Sequence, residues 1–87
     1  MTTYQPGNYK ISVTVTMPAE TARQLGAPEQ AQFNGATATR TFGPVDTWVE
    51  KKATGKQLAA RFVASCMAEH RKAKYRISSF NITPDAS

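Results

Sequence analysis

Cysteine is nearly absent from the sequence, since Cys66 is the only one among 87 residues. A disulfide within one chain is therefore excluded, and so is a zinc site built from cysteines alone. No run approaches 18 apolar residues, which argues against a membrane-spanning helix. The first 20 residues lack a basic segment followed by an apolar one, so we expect no secretory signal and a cytoplasmic protein. Catalytic signatures are also missing, and we expect a binding protein, not an enzyme, that uses no cofactor or metal.

Acidic residues are scarce, and their distribution divides the chain. The net charge of +5 combines a net −1 over residues 1–50, a net +7 over residues 51–76 and a net −1 over the remainder. A field of one sign attracts polyanions or acidic protein surfaces, although it can also serve only to keep a protein soluble. The candidate residues for binding nucleic acid or a ribonucleoprotein are the eight cations of the second segment: Lys51, Lys52, Lys56, Arg61, Arg71, Lys72, Lys74 and Arg76.

The apolar content predicts one domain over residues 1–87. Hydrophobic residues make up 40% of the chain and include one Trp, three Tyr and four Phe, which is too much for a disordered tail. A chain of this length buries only about 60 to 65% of the surface that its unfolded form exposes, so the core should be thin. We expect residues 1–8 to be an irregular lead-in and residues 84–87 to be a frayed tail.

A long amphipathic helix is predicted over residues 54–76, leading directly into a strand. Thr54 and Gln57 have the spacing of a capping box, which defines where the helix begins. An apolar stripe follows at spacings of three and four, as expected for 3.6 residues per turn. It consists of Leu58, Ala59, Phe62, Val63, Cys66, Met67 and His70. The first half of this stripe should pack against the apolar face of the first strand.

The first strand is predicted over residues 9–17, because apolar and polar residues alternate there without interruption. Pro18 ends it, and a short helix is expected over residues 19–25 with Gly26 as its stop. Residues 29–33 are consistent with a further helical turn. Asn34 and Gly35 should then reverse the chain.

The rest of the sheet is predicted from turn residues and β-branched content. Residues 36–42 should form a second strand, although Arg40 interrupts its apolar face. Residues 43–46 have the composition of a hairpin turn, and residues 47–52 are favoured as the partner strand. The alternative for residues 47–52 is the start of a helix, because Thr47 and Glu50 also match a capping box. Residues 74–83 should be the last strand, with a bulge at Ser78 and Ser79 where the apolar parity changes.

The predicted fold class is α+β, with an antiparallel four-stranded sheet, one long helix packed on one face and a short first helix. This succession gives the ferredoxin-like order β-α-β-β-α-β. The alternative lacks the first helix and has the order β-β-β-α-β.

Three features of the sequence could carry chemistry. Cys66 and His70 are four residues apart on the predicted helix, but a buried thiol beside a histidine explains them without a function. Gly55 and Lys56 begin the helix and could hold an anion such as a backbone phosphate. Trp48 could stack on a base, although such a residue more often belongs to the core.

Two resemblances indicate a function. Residues 51–60, KKATGKQLAA, resemble the lysine-rich start of the last helix in double-stranded RNA-binding domains, whose lysines contact phosphates. The small size, residues 6–13, the Ala-rich helix and the final strand look like small phage-encoded anti-CRISPR proteins of the type I-F group. That second resemblance implies a non-enzymatic inhibitor that docks on a Cas surveillance complex of protein and guide RNA, and blocks access of guide RNA or target DNA. The alternatives are an independent RNA- or DNA-binding module and a structural, oligomeric phage component.

Overall fold

The computed structural model describes residues 2–70 and 73–84, which form an α+β domain. These residues include two helices, six strands and short 3₁₀ turns at Pro28–Gln30 and Ala68–His70. In chain order the elements are β1 (Thr3–Tyr4), β2 (Gly7–Pro18), α1 (Ala19–Gln24), β3 (Ala31–Asn34), β4 (Thr37–Val49), β5 (Ala53–Thr54), α2 (Gly55–Cys66) and β6 (Arg76–Pro84). No helix in the described ranges has the length and apolar character needed to cross a bilayer.

The strands form two antiparallel sheets. The larger has the order β3-β4-β2-β6, and the smaller pairs β1 with β5. The predicted α+β class is therefore confirmed, and both the short helix and the longer one are present. The small second sheet was not predicted. Its strand β1 pairs with β5, which directly precedes α2, and β2 already begins at Gly7. The expectation of an irregular lead-in over residues 1–8 is therefore wrong for residues 3–4 and 7–8.

Strand β2 is central and divides the sheet into two faces, as its alternation predicted. Ile11, Val13, Val15 and Met17 are all buried on the inner face, which the helices cover. Leu58 and Val63 of α2 join them in one apolar cluster. The polar residues that alternate with these apolar residues in β2 point to the opposite, outer face. The register directs Thr37, Thr39 and Thr41 of β4 to the same outer face.

Helix α2 begins where the capping box predicted and ends earlier than expected. The Gln57 amide donates to Thr54 Oγ1 at 3.2 Å, and the Thr54 amide donates to Gln57 Oε1 at 3.0 Å. The helix then runs for 12 residues, about 18 Å. Its last residue is Cys66, so the prediction of one helix over residues 54–76 is wrong. Met67 remains buried beyond that end, and the chain continues in a 3₁₀ turn. Residues 71 and 72 lie outside the described ranges.

Strand β4 is one long strand where two strands and a turn were predicted. The register passes from Ile11 opposite Val45 to Val13 opposite Phe42, so β4 contains one extra residue there. The Gly43-Pro44 pair forms this bulge instead of the predicted hairpin turn. Strand structure continues to Val49, which excludes the helical alternative for this segment, while residues 50–52 lie outside the strand.

The helical turn expected at residues 29–33 is present only as the 3₁₀ turn at Pro28–Gln30, and β3 replaces the rest of it. Strand β3 pairs with only the first four residues of β4, and Gly35 lies in the predicted reversal between them. The side chain of Arg40 in β4 lies on the face of the sheet that the helices cover. Two hydrogen bonds hold its guanidinium in this position. Its guanidinium donates to the Gly26 carbonyl oxygen at 3.0 Å and to Gln30 Oε1 at 3.2 Å. Arg40 thereby ties the α1 to β3 connection to the sheet.

Strand β6 forms the edge of the sheet beside β2, and it contains the predicted bulge. Thr14 lies opposite Ser79 and Val15 opposite Ile77, which leaves Ser78 as the extra residue. The Ser78 hydroxyl forms a hydrogen bond of 2.5 Å with Thr16 Oγ1. Pro84 is the last residue of the strand, so the tail expected to fray over residues 84–87 does not begin at residue 84. Residues 85–87 lie outside the described ranges.

Candidate functional site

A groove of about 450 Å³ lies between α2 and the second half of β4, and we call it the α2–β4 groove. Its apolar floor includes Val49, Leu58 and Phe62. Lys51 and Arg61 line it from opposite sides, one from the loop after β4 and the other from α2. Lys52 is exposed next to Lys51 in the same loop. The groove is open because β3 pairs only with the first part of β4.

Trp48 is exposed at the rim of this groove, contrary to the expectation that it belongs to the core. Its exposed fraction is 61%. The register puts it opposite Asn8, on the outer face of the sheet. On that face Lys10 and Asp46 also lie opposite each other and form a salt bridge of 3.9 Å. An indole in this position offers a free ring face beside a group of cations.

The other predicted cations lie elsewhere on the molecule. Lys56 precedes Arg61 by five residues in α2, which corresponds to a rotation of about 140° around the helix axis. Lys56 therefore lies on the other side of α2, where it lines a different groove. Lys74 and Arg76 lie together at the far end of the sheet, where Arg76 is opposite Thr16. Along β2, about 30 Å separate Gly7, which is opposite Val49, from Thr16, which is opposite Arg76.

Lys51 and Arg61 line the α2–β4 groove and Lys52 is exposed next to Lys51, and we call these three the groove cations. Lys74 and Arg76, which we call the distal cations, line a different pocket at the other end of the sheet. Arg71 and Lys72 fall outside the described residues. Within residues 2–70 and 73–84 the only salt bridge is the one between Lys10 and Asp46. The groove and distal cations therefore have no carboxylate partner there, and their binding role stays a prediction.

The start of α2 gives little support to the predicted anion site. Gly55 is buried, and a Cβ at this position would approach the Phe80 ring at 2.7 Å and Tyr4 at 3.3 Å. The lack of a side chain at Gly55 thus allows α2 to pack closely against Phe80 of β6 and Tyr4 of β1. Lys56 remains exposed beside it, so any contact with an anion at this end would depend on that side chain.

Cys66 and His70 line one shallow cavity, but they do not form the helical pair that was predicted. The helix ends at Cys66, and His70 belongs to the 3₁₀ turn that follows. Burial raises the pKa of the Cys66 thiol, although the nearby Arg40 guanidinium lowers it in part. Among the described residues, no group of three or more His, Cys, Asp or Glu side chains is placed to hold a metal ion.

The raised pKa of Cys66 predicts slow alkylation. Because only the thiolate is nucleophilic, iodoacetamide at pH 8 should modify Cys66 several-fold more slowly in the folded protein than in the same protein unfolded in urea. Mass spectrometry of timed samples gives both rates. Equal rates in the two states would show that the thiol is neither shielded nor perturbed.

No protein-family model, no curated protein and no solved structure matches the chain.

Proposed function

We propose that the protein is a small, basic, non-enzymatic binding protein that docks on a partner containing nucleic acid, with the α2–β4 groove as its contact site. The observation that carries the proposal is that Lys51 and Arg61 line the same groove as the exposed Trp48, with Lys52 exposed next to Lys51. Cations contribute affinity for phosphates, and an exposed aromatic ring contributes stacking on an unpaired base. This combination favours single-stranded nucleic acid, whose bases are free to stack.

The narrower form of the proposal names the partner as a Cas surveillance complex of protein and guide RNA, in the cytoplasm of the host cell. Its support is the resemblance of residues 6–13 and of the overall plan to type I-F anti-CRISPR proteins. In this form the groove cations contact guide RNA, and binding blocks access of guide RNA or target DNA. The broader form is an independent nucleic-acid-binding module, and the two differ in whether free RNA is sufficient for binding.

The finer description of the fold is also part of the proposal. We propose that β2, α1, β3, β4, α2 and β6 form a ferredoxin-like unit, to which the pair of β1 and β5 has been added. Its support is the antiparallel order β3-β4-β2-β6, together with helices that pack on the same face of that sheet. The outer face of the sheet then remains open beside Trp48.

Two double variants test the contact site. Lys51→Glu with Lys52→Glu reverses two groove cations, and Lys74→Glu with Arg76→Glu reverses the two distal cations, so both change the net charge equally. We expect the first to weaken binding of a 20-nucleotide single-stranded RNA by about tenfold or more at roughly 100 mM salt, and the second by about threefold or less. Fluorescence anisotropy measures both.

Trp48→Ala separates stacking from charge. Because Trp48 is exposed, the variant should fold normally and should lose about 1 to 3 kcal/mol of binding to single-stranded RNA, with little change for a duplex.

Equal losses in both double variants would contradict the site, since binding would then depend on net charge alone. Absence of binding to free RNA, followed by capture of an assembled Cas complex in a pull-down, would favour the narrower form.

A further inference from the structure

The lining of the α2–β4 groove contains a carboxylate that the proposed function does not use. Glu50 follows β4 directly and lines the groove together with Lys51 and Arg61. It is exposed, and in the part of the chain that the structure describes the only salt bridge lies elsewhere, between Lys10 and Asp46. A carboxylate beside a phosphate site repels phosphate, so attraction of a polyanion does not account for Glu50.

The floor of this groove offers an apolar surface of suitable size for a small ring. Val49 and Leu58 are buried there, and the partly buried side chain of Phe62 lines the groove beside them. Its volume of about 450 Å³ is within the range of roughly 300 to 1,000 Å³ that is typical of small-molecule sites. A flat ring placed on this floor would remove apolar surface from water on both sides of the contact.

The charges around the floor define the chemistry of an occupant. Lys51 and Arg61 line the groove from opposite sides, and Glu50 adds a hydrogen-bond acceptor. A complementary ligand therefore has a flat apolar body, an anionic group on each side and an N–H donor for the carboxylate. An unpaired nucleobase in a strand has all three, because it lies between two phosphates and, in adenine, cytosine and guanine, carries an exocyclic amino group. An acidic peptide fits less well, because its side chains offer Glu50 only further negative charge.

The pocket beside the distal cations has a different arrangement. Lys74 and Arg76 belong to one short segment of the chain and line the pocket together with Tyr75. None of the described residues around it is an Asp or a Glu. That pocket can attract a phosphate, but it presents no carboxylate to the amino group of a base. Selection of a base is therefore expected at the α2–β4 groove and not at the distal cations.

We infer that the α2–β4 groove holds one unpaired base with an exocyclic amino group, which donates a hydrogen bond to the Glu50 carboxylate. The inference rests on the proposed function, because it concerns the same site. Lys51 and Arg61 contact the phosphates on either side of this base, and Trp48, on the outer face, stacks on a neighbouring base of the same strand. Uracil is disfavoured, because it presents a carbonyl oxygen where cytosine has its amino group, and that oxygen repels the carboxylate.

Oligocytidylate and oligouridylate of about ten nucleotides test the selection, because their bases have the same size and differ at the amino group. Fluorescence anisotropy at neutral pH should give an affinity about five- to tenfold higher for oligocytidylate. Glu50→Ala should remove this preference, because it deletes both the acceptor for cytosine and the repulsion of uracil. Glu29→Ala is the control, since it deletes an exposed carboxylate in the 3₁₀ turn before β3, and it should keep the preference.

Methyl NMR then tests whether a base enters the groove. Saturation with oligocytidylate should shift the methyl signals of Val49 and Leu58 through the ring current of the base, whereas those of Ile77, between α2 and β6, should not move.

Three results would overturn the inference and leave the proposed contact site intact: equal affinities for the two oligomers, a preference that survives Glu50→Ala, or unchanged Val49 and Leu58 methyl signals when RNA is bound. Absence of binding by both oligomers would also overturn the inference. If an acidic peptide that contains Phe then shifts the same methyl signals, the groove binds protein, and the proposed contact with nucleic acid fails as well.

Discussion

Val63→Asp is expected to abolish folding, which is the largest effect we predict for a single substitution. Val63 is completely buried in α2, in the same apolar cluster as Val13 and Val15 of β2. A carboxyl group there has no partner, and its burial costs about 4 kcal/mol or more. A chain of 87 residues has a total stability of roughly 4 to 13 kcal/mol. The thin core of so short a chain favours the lower end of this range, so little or none would remain. Circular dichroism during thermal unfolding measures the loss.

Ala64→Asp is the matched control for Val63→Asp. It makes a comparable polar change one residue later in α2, at an exposed position, and should cost about 1 kcal/mol or less. Phe62 also belongs to the predicted apolar stripe, but it is only partly buried, so an Asp at that position would test the packing of α2 less strongly than Val63→Asp. A cooperative transition of Val63→Asp close to that of the wild type would contradict the packing of α2 on β2.

Gly43→Ala should cost about 2 to 4 kcal/mol, the second large effect. Gly43 has φ of +92° at the bulge of β4, a conformation that side chains disfavour. A Cβ at this position would also collide with the carbonyl oxygen of Ile11 in the neighbouring strand. Residues 43 and 11 both belong to strands of the sheet, so neither backbone can move away without breaking hydrogen bonds between β2 and β4. Urea unfolding gives the change in the free energy of unfolding.

Gly35→Ala separates the collision from the backbone conformation. Gly35 also has a positive φ, +63°, in the turn between β3 and β4, but an added Cβ would meet nothing within 4 Å. We expect this variant to lose only about 1 kcal/mol. Similar losses at the two positions would contradict the close approach of β4 to β2 at the bulge.

Local patterns predicted those elements whose formation depends on neighbouring residues. The alternation in β2 and the capping box at Thr54 are short-range signals, and both are found where the sequence indicates. The change of parity in β6 also located the bulge at Ser78. In each case one run of a few residues contains the whole pattern, so no knowledge of distant contacts is needed.

Strand structure was predicted correctly for residues 37–42 and 47–49, but the turn placed between them was wrong and β3 was not predicted. Gly43-Pro44 was interpreted as a hairpin turn, but glycine also favours bulges and proline is tolerated at a strand edge, so the same residues fit a continuous strand. Residues 31–34 have weak strand character, and their pairing with β4 forms β3. The end of α2 was missed because Met67 continues the apolar stripe after the helix has stopped.

For the candidate site, the sequence predicted only which segment is rich in cations, not which of the cations lie close together. The excess of cations over residues 51–76 is visible in the sequence, but their grouping depends on where the chain turns. Lys51 and Arg61 line the same groove because the loop after β4 lies beside α2. The exposure of Trp48 depends on its position on the outer face of the sheet, opposite to the face on which the helices pack. Neither fact has a local signal.

The most direct test of the central proposal is an NMR titration of the ¹⁵N-labelled protein with single-stranded RNA. We expect the largest amide shift changes at residues 48–52 and at Arg61, with little change at Lys74 and Arg76, about 30 Å away along β2. That pattern would establish the α2–β4 groove as the contact site. Changes spread equally over both groups of cations, or confined to the distal pair, would contradict it.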